Sequence, residues 1–165
     1  MASRKGIAVT IAILVGVAGA SFLVYLLPED TTMKISVSDF EEHLDITKER
    51  ASMEVTGIDD SFKKLMNGEM NPDEYISIAE VTSSQLNSLI IELTNSGATQ
   101  EWTESYVNYI GALKKLNDKI TETVVVANLI TDDSNSDSIN EILAKIKQLE
   151  AESLDLITKS DSSRP

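Results

Sequence analysis

The sequence predicts an all-α protein in which a single N-terminal transmembrane helix precedes an antiparallel four-helix bundle outside the cytoplasm. Two observations predict this fold class. Residues 6–27 form an uninterrupted run without a charged side chain, which is long enough to cross a bilayer as a helix. Residues 38–159 repeat apolar side chains at steps of three and four, the spacing of one buried helix face. The short turns between these helices favour an up-and-down bundle.

The composition limits the classes of function. The chain has 165 residues, of which 42% are hydrophobic, so we expect one modest folded domain with an appendage. The sequence has no Cys and a single His, which excludes disulfides, thiolate sites and multi-histidine metal centres. A formal charge of −13, from 14 Lys and Arg against 27 Asp and Glu, argues against binding to nucleic acid or to an anionic lipid surface.

Residues 6–27 have the properties of a membrane anchor. As a helix they would span about 33 Å, at about 1.5 Å per residue. Arg4 and Lys5 precede this segment, and acidic residues follow it. Because positive charge stays on the cytoplasmic side, we expect residues 1–5 in the cytoplasm and the bundle outside, in a single-pass protein of the cell membrane.

Two alternatives start from the same segment. Ala18-Gly19-Ala20 has the small-x-small form of a signal-peptide cleavage site, although cleavage there would leave the apolar residues 21–27 on the mature chain. The sequence Arg4-Lys5-Gly6, followed by a hydrophobic helix, resembles the processing site of archaeal pilins and archaellins. That resemblance implies a filament subunit cleaved after the glycine, although archaellin outer domains are β-rich and this one is predicted to be helical.

Small side chains recur every four residues along one face of the predicted transmembrane helix. They are Ala8, Ala12, Gly16 and Ala20. A ridge of small residues lets two helix backbones approach closely, so it indicates contact with a second copy of the chain or with another membrane protein. Ala and Gly are also common in membrane helices that make no such contact.

Residues 28–37 are predicted to form a linker that leads into the first helix of the bundle. Ser38 and Glu41 have the capping-box spacing, so we expect this helix to begin at Ser38. Gly57 falls inside its apolar stripe and predicts a kink or a break. Gly68 predicts the end of the helix, because glycine adopts the left-handed cap conformation readily.

The second and third helices carry start and stop signals of the same kind. Asn71 followed by Pro72 has the form of an N-cap with proline in the first turn, and Gly97 predicts the end of this second helix. The third helix is predicted to start near Thr99. Its apolar pattern continues to residues 124–127, which are apolar on every side and so indicate deep burial or a covering partner.

A polar loop separates the third helix from the fourth, and a polar tail ends the chain. Ser138 and Glu141 form another capping box, which predicts the start of the fourth helix. The bundle is therefore expected to cover residues 38–159. Residues 160–165 are polar and are predicted to be a disordered tail.

No motif in the sequence predicts catalysis. The sequence has no Gly-x-Ser-x-Gly turn and no glycine-rich phosphate loop. We therefore expect a protein that is not an enzyme and that needs no cofactor. His43, the only histidine, is expected to be a surface residue of the first helix.

Asp133, Asn135 and Asp137 stand at alternate positions, and this spacing resembles the first half of an EF-hand calcium loop. Ser138 stands where that loop has its glycine, and Ala144 where it has its bidentate glutamate. The segment is either a weak cation site or an ordinary loop that leads into a helix cap. We predict no other metal site.

Three aromatic residues cluster at the start of the third helix, and they are Trp102, Tyr106 and Tyr109. Such rings either pack in the core or contact a partner or a small ligand. Tyr109 lies off the main apolar stripe, so we expect its ring to be the exposed one.

The sequence as a whole predicts a membrane-anchored protein with a non-catalytic structural or interaction role, such as an accessory or scaffold subunit of a membrane or envelope complex. The expected contacts are the lipid bilayer and either a second copy of the chain or a membrane-protein partner, and no nucleic acid. The alternative is a four-helix module that binds a ligand or a cation. A filament subunit is the third hypothesis.

Overall fold

The structure, a computed structural model, describes residues 39–131 and 136–165. These residues form four α-helices and no strand, and the prediction of an all-helical bundle is confirmed for this part of the chain. The helices are α1 (Phe40–Met66), α2 (Pro72–Asn95), α3 (Thr103–Thr131) and α4 (Ser136–Ser162).

The N-cap of the first helix lies one residue later than predicted, and the helix is not interrupted. The carboxylate of Asp39 caps α1 by accepting a hydrogen bond from the backbone N–H of Glu42 at 3.0 Å. Asp39 rather than Ser38 is therefore the N-cap, and aspartate is as effective as serine in that position. Gly57 does not break α1, which continues to Met66.

The turns that follow α1 and α2 depend on glycine, as predicted. Gly68 and Gly97 have φ angles of 73° and 66°, which residues other than glycine rarely adopt. Asn71 caps α2 through a hydrogen bond of 2.8 Å that its side chain accepts from the N–H of Asp73. A single turn precedes α3, so that helix begins four residues after the predicted Thr99.

Consecutive helices run antiparallel, as their cross-helix hydrogen bonds show. The hydroxyl of Tyr75, near the start of α2, donates to Thr123 Oγ1, near the end of α3, at 2.6 Å. Ser83 donates to Asn117 Oδ1 at 2.6 Å about two turns further along. Leucine, alanine and tyrosine side chains of α1, α2 and α3 fill the core of the bundle, and they include Leu44, Ala51, Tyr75, Ala79, Leu86, Leu93, Tyr106, Ala112 and Leu113.

The contact between α3 and α4 is built from small and hydroxyl-bearing residues. Ser105 Oγ donates to the carbonyl oxygen of Ser160 at 2.7 Å, and Ser153 Oγ donates to the carbonyl oxygen of Ala112 at 3.2 Å. These residues are spaced by seven along each helix, so they face each other two turns apart. Their small volume lets the two backbones approach closely, and the hydrogen bonds satisfy the buried hydroxyls.

The end of the chain is ordered, so the prediction of a disordered tail at residues 160–165 is wrong. Helix α4 continues to Ser162, and Ser160 is fully buried against α3. Polar residues around it form ion pairs with α1. Asp161 pairs with Lys48 of α1 at 2.5 Å, and Arg164 pairs with Asp45 of α1 at 2.6 Å.

Helices α1 and α4 stay apart although both pack on α3. Among the described residues, no Cα atom of α1 lies within 8 Å of a Cα atom of α4, whereas α1 approaches α2 and α3 that closely. Only side chains bridge the gap between α1 and α4. The bundle is therefore open along this side.

The apolar segment at residues 124–127 is mostly buried within the bundle. Val126 and Ala127 have no exposed surface, whereas Val125 is 38% exposed. Deep burial, one of the two predicted alternatives, therefore accounts for most of this run. Val125 points away from the core and resembles an ordinary surface position.

No helix in residues 39–131 or 136–165 is long and apolar enough to cross a bilayer. The predicted transmembrane helix at residues 6–27, with its ridge at Ala8, Ala12, Gly16 and Ala20, lies outside the described residues.

The close α3–α4 contact makes Ser160 a critical position. We expect Ser160→Leu to lower the free energy of unfolding by about 1–3 kcal/mol, because the larger side chain overpacks a site with no exposed surface. Ser162→Leu is the matched control, because Ser162 is exposed on the same helix. Urea unfolding of both variants measures the difference, and equal stabilities would contradict the packing described for α4.

Candidate functional site

The open side of the bundle forms a groove of about 410 Å³ between α1 and α4, with α3 at its base. We call it the α1–α4 groove. Its lining is mainly apolar, with a few hydroxyl and charged groups, and consists of Lys48, Ala51, Ser52, Val55, Thr56, Tyr109, Leu116, Glu150, Ser153, Leu154 and Ile157. Grooves of this kind, with an apolar lining and few polar groups, are common binding sites.

The base of the groove is buried and its rim is exposed. Tyr109 and Leu116 of α3, at the base, are 3% and 8% exposed. Val55 and Ile157 form half-buried walls on opposite sides. Leu154, on the α4 rim, is 63% exposed, the largest value among the exposed large hydrophobic side chains of the described residues.

Ion pairs close both ends of the groove. At one end Lys48 of α1 pairs with Asp161 of α4, and its ammonium lies 5.2 Å from the centre of the Tyr109 ring. At the other end Lys119 of α3 lies 2.8 Å from Asp59 of α1 and 3.5 Å from Glu150 of α4. Lys48 and Asp59 are eleven residues apart, so the groove extends for about 16 Å, or three helical turns.

The electrostatics of the rim are negative. Lys48, Lys119 and Arg164, the basic groups at the two ends, are each engaged in an ion pair. The hydrogen bond from Lys48 holds the pKa of Asp161 below its ordinary value, with a further contribution from Arg164. Glu150 keeps 59% of its side chain exposed. A ligand that approaches the rim therefore contacts mainly carboxylate groups.

The predicted aromatic cluster does not form one surface. Tyr106 is 2% exposed and makes edge-to-face contacts with Trp102 and Phe40, at ring-centroid distances of 6.4 Å and 6.0 Å. Tyr109 lies one turn further along α3, at the base of the groove. The expectation that its ring is the exposed one is wrong, because α1 and α4 both cover that side of α3. Trp102 is half-buried against the core.

His43 joins three helices instead of standing free on the surface. Its Nδ1 lies 2.9 Å from the hydroxyl of Tyr106 on α3, and its Nε2 lies 3.2 Å from Glu92 on α2. Arg50 also pairs with Glu92, at 2.8 Å. The Tyr106 hydroxyl additionally lies 2.9 Å from the carbonyl oxygen of Phe40, to which it donates. The network explains why the side chain of this histidine is only 15% exposed.

Most of the predicted cation site lies outside the residues that the structure describes. Asp133 and Asn135 lie outside the described residues, whereas Asp137 is in the first turn of α4. Within residues 39–131 and 136–165, no group of three or more His, Asp or Glu side chains is arranged to hold a metal ion. Cation binding at Asp133, Asn135 and Asp137 stays a prediction.

Sequence reasoning did not identify the α1–α4 groove. Its walls belong to stripes that were expected to pack in a closed bundle, and its base includes Tyr109. The one available signal was the match between small residues at heptad spacing, Ser105 and Ala112 on α3 with Ser153 and Ser160 on α4. That pattern indicates a close α3–α4 pair, which leaves α1 without α4 as a neighbour.

Comparison with protein-family models, with curated proteins and with solved structures gives no significant match to the chain. Its function must therefore be inferred from its own side chains.

Tyr106 is expected to contribute to stability through its hydroxyl. Tyr106→Phe removes the hydrogen bonds of the hydroxyl with the His43 ring and with the carbonyl oxygen of Phe40, and it should lower the free energy of unfolding by about 1 kcal/mol at neutral pH. Tyr109→Phe is the control, because the hydroxyl of Tyr109 is not part of the His43 network. Burial raises the pKa of Tyr106 to about 12. Its neutral form therefore stabilises the fold fully below pH 10, the ordinary tyrosine value, and this contribution is lost as the pH rises towards 12.

Urea unfolding between pH 7 and pH 12 tests both statements. The wild type should lose stability above about pH 10 more steeply than Tyr106→Phe does. Identical pH profiles for the two proteins would contradict the burial of this phenol.

Proposed function

We propose that the chain is a membrane-anchored, non-catalytic interaction protein, whose helical bundle binds an amphipathic helix of another protein in the α1–α4 groove. The observation that carries this proposal is the open apolar side of the bundle. A protein of this kind would serve as an accessory or scaffold subunit of a membrane or envelope complex.

The dimensions of the groove favour a helix as its occupant. Two parallel walls about 16 Å long match about three turns of a helix. An amphipathic helix in such a groove would place side chains at positions i, i+3 or i+4, and i+7 between the walls. Val55 and Ile157 could contact the centre of that apolar face, and the exposed Leu154 would be covered by it. A bound helix would supply the neighbour that α1 and α4 lack on this side.

The charge of the rim favours a partner with basic flanks. The described residues contain 23 Asp and Glu against 11 Lys and Arg. Glu150 and Asp161 keep more than half of their side-chain surface exposed although they are ion-paired, whereas the side chains of their partners Lys119 and Lys48 are only 7% and 16% exposed. Lys and Arg beside the apolar face of the partner would complement this rim and speed the encounter.

The engagement of the single histidine supports a non-catalytic role. His43 is tied to Tyr106 and Glu92 and lies on the α2 side of α1, away from the groove. The groove itself offers hydroxyls, ion-paired lysines and apolar side chains. These groups suit recognition better than proton transfer.

The anchor is proposed from the apolar segment at residues 6–27. Its length suits a bilayer, and the basic residues before it favour a cytoplasmic N-terminus. The bundle would then lie on the outer side of the membrane. Partners in the same membrane, or just outside it, would be within reach of the groove.

A designed peptide tests the groove. We expect a synthetic helix with a leucine face and lysine flanks to bind the full-length protein, and a matched peptide with glutamate in place of lysine to bind much more weakly. Leu154→Asp should weaken binding of the lysine peptide by about tenfold or more, because it places a charge where the apolar face must pack.

Val107→Asp is the matched control for this test. Val107 is 60% exposed on α3, does not line the groove, and takes the same change in charge. If the two variants bound the lysine peptide equally well, at whatever affinity, the groove would not be the binding site and the proposal would be overturned. A thermal shift with metals or small solutes, without peptide binding, would favour the ligand-binding alternative instead.

The anchor predicts that the full-length chain stays in the membrane pellet after alkaline carbonate extraction, because an apolar helix spanning the bilayer resists release. Mass spectrometry of the intact protein should show the N-terminal segment in place. A mature chain that begins at Ile7 would indicate a filament subunit, and one that begins at Ser21 would indicate a secreted protein. Either result would contradict the anchor without affecting the peptide test.

A further inference from the structure

We infer that α2 carries a second interaction surface, which binds α2 of a second copy of this chain in an antiparallel pair. The surface is the outward face of the helix. We call it the α2 outer face, and it consists of Ser77, Val81, Ser84, Ser88, Ile91 and Asn95. This inference does not depend on the α1–α4 groove, which α2 does not line.

The α2 outer face repeats at the spacing of a helix–helix seam. Its members follow one another at alternating steps of four and three, so they form one stripe along the helix. The stripe lies opposite the residues that α2 buries in the core, such as Tyr75, Leu86 and Leu93. Val81 and Ile91 expose 59% and 52% of their surface on it. Helix α2 therefore carries two exposed apolar side chains on an uncharged face opposite the core.

The absence of charge on this face is the observation that points to a second copy. With 23 acidic and 11 basic side chains among the described residues, two copies repel each other at most orientations. Residues 81–91 contain no charged side chain. Glu80 and Glu92 lie at the two edges of the face, and Glu92 is paired with Arg50. Two copies can therefore meet here with carboxylates only at the edges of the contact, where Arg50 compensates the charge of Glu92.

The outward faces of the other described helices differ in this respect. Each carries exposed charged residues along its length, namely Glu49 and Asp60 on α1, Lys114 and Asp118 on α3, and Lys145 and Asp155 on α4. A contact between two copies through any of these faces would bury or oppose those charges. Neutrality therefore singles out α2 among the four helices.

The order of residues along the face favours an antiparallel pair. Reversing the stripe about its centre places Val81 opposite Ile91, and Ser84 opposite Ser88. Each exposed apolar side chain would then pack against an apolar side chain of the other copy. The serines at the centre are small enough for the helix axes to approach closely. The pairing is self-complementary, as a two-fold contact requires.

The neighbouring surface adds apolar area to the contact. A shallow depression of about 570 Å³ between α1 and α2 is lined by Ser77 and Val81 together with Met53. Met53 is 61% exposed. A side chain from the second copy that entered this depression would cover both Val81 and Met53. This addition matters because a single helix pair is small compared with a stable interface.

Cysteine crosslinking tests the contact directly, because the chain has no Cys of its own. Full-length Ser84→Cys and Ser88→Cys variants are mixed and oxidised. In the antiparallel pair the two thiols face each other, so we expect a mixed disulfide dimer to predominate. In the same pair, two Ser84→Cys thiols, or two Ser88→Cys thiols, would be offset by four residues, about 6 Å along the helix axis. This offset disfavours a disulfide between two copies of the same variant.

The control pair is Lys114→Cys and Asp118→Cys, which has the same spacing on the outward face of α3. Mixed dimers of the α2 variants should exceed those of the control pair and should be lost when Val81→Asp is added. Val107→Asp, which places the same charge on α3, should leave them unchanged.

Two results would overturn the inference. Equal crosslinking of the α2 and α3 pairs would indicate random collision, and a predominance of Ser84→Cys dimers with themselves would exclude the antiparallel pair. A dimer held only by residues 6–27 would leave the α2 cysteines no better crosslinked than the control. The outcome is therefore separate from that of the peptide and extraction experiments.

Discussion

Serine hydroxyls and small side chains, rather than large apolar ones, set the distance between α3 and α4. Because Ser105 and Ser153 donate to carbonyl oxygens of the facing helix, the two backbones must lie within hydrogen-bonding reach of each other's side chains. Gly111 fits the same contact, since a Cβ atom there would lie 3.4 Å from a methyl group of Leu156. Because of this close pairing, α4 packs against α3 and not against α1. Helix α1, which packs on α2 and touches α3, is left without α4 as a backbone neighbour, and the α1–α4 groove follows from that arrangement.

Charge then fixes the width of the opening. Lys119 is 6% exposed, and a lysine at that depth is tolerated only when carboxylates compensate the loss of water. Asp59 and Glu150 supply that compensation from α1 and α4, so the three helices are tied together at one end of the groove. Asp161 and Lys48 do the same at the other end. Because acidic residues outnumber basic ones, carboxylates on both walls can pair with these lysines while the rim of the groove stays negatively charged.

The features that could be predicted from sequence are those that depend on neighbours along the chain. Asn71 with Pro72, and the glycines at 68 and 97, mark helix ends because caps and left-handed turns are local chemistry. Ser160 and His43 were misread because their surroundings are tertiary. Ser160 is buried because Ser105 on the facing helix donates a hydrogen bond to its carbonyl oxygen, and His43 is covered because Tyr106 and Glu92 on other helices contact its ring. The groove is harder still, since it depends on which pairs of helices pack closely.

The two proposed contacts use separate parts of the surface, and this separation has a consequence for assembly. The α1–α4 groove involves α1, α3 and α4, whereas the α2 outer face belongs to α2. A chain that engages a partner helix in the groove keeps its α2 outer face accessible, so a pair of copies would present two grooves. Two linked sites bind a two-site target more tightly than either site alone, through effective concentration. The excess of carboxylates elsewhere would oppose further association, so a neutral stripe on one helix would limit self-association to a pair.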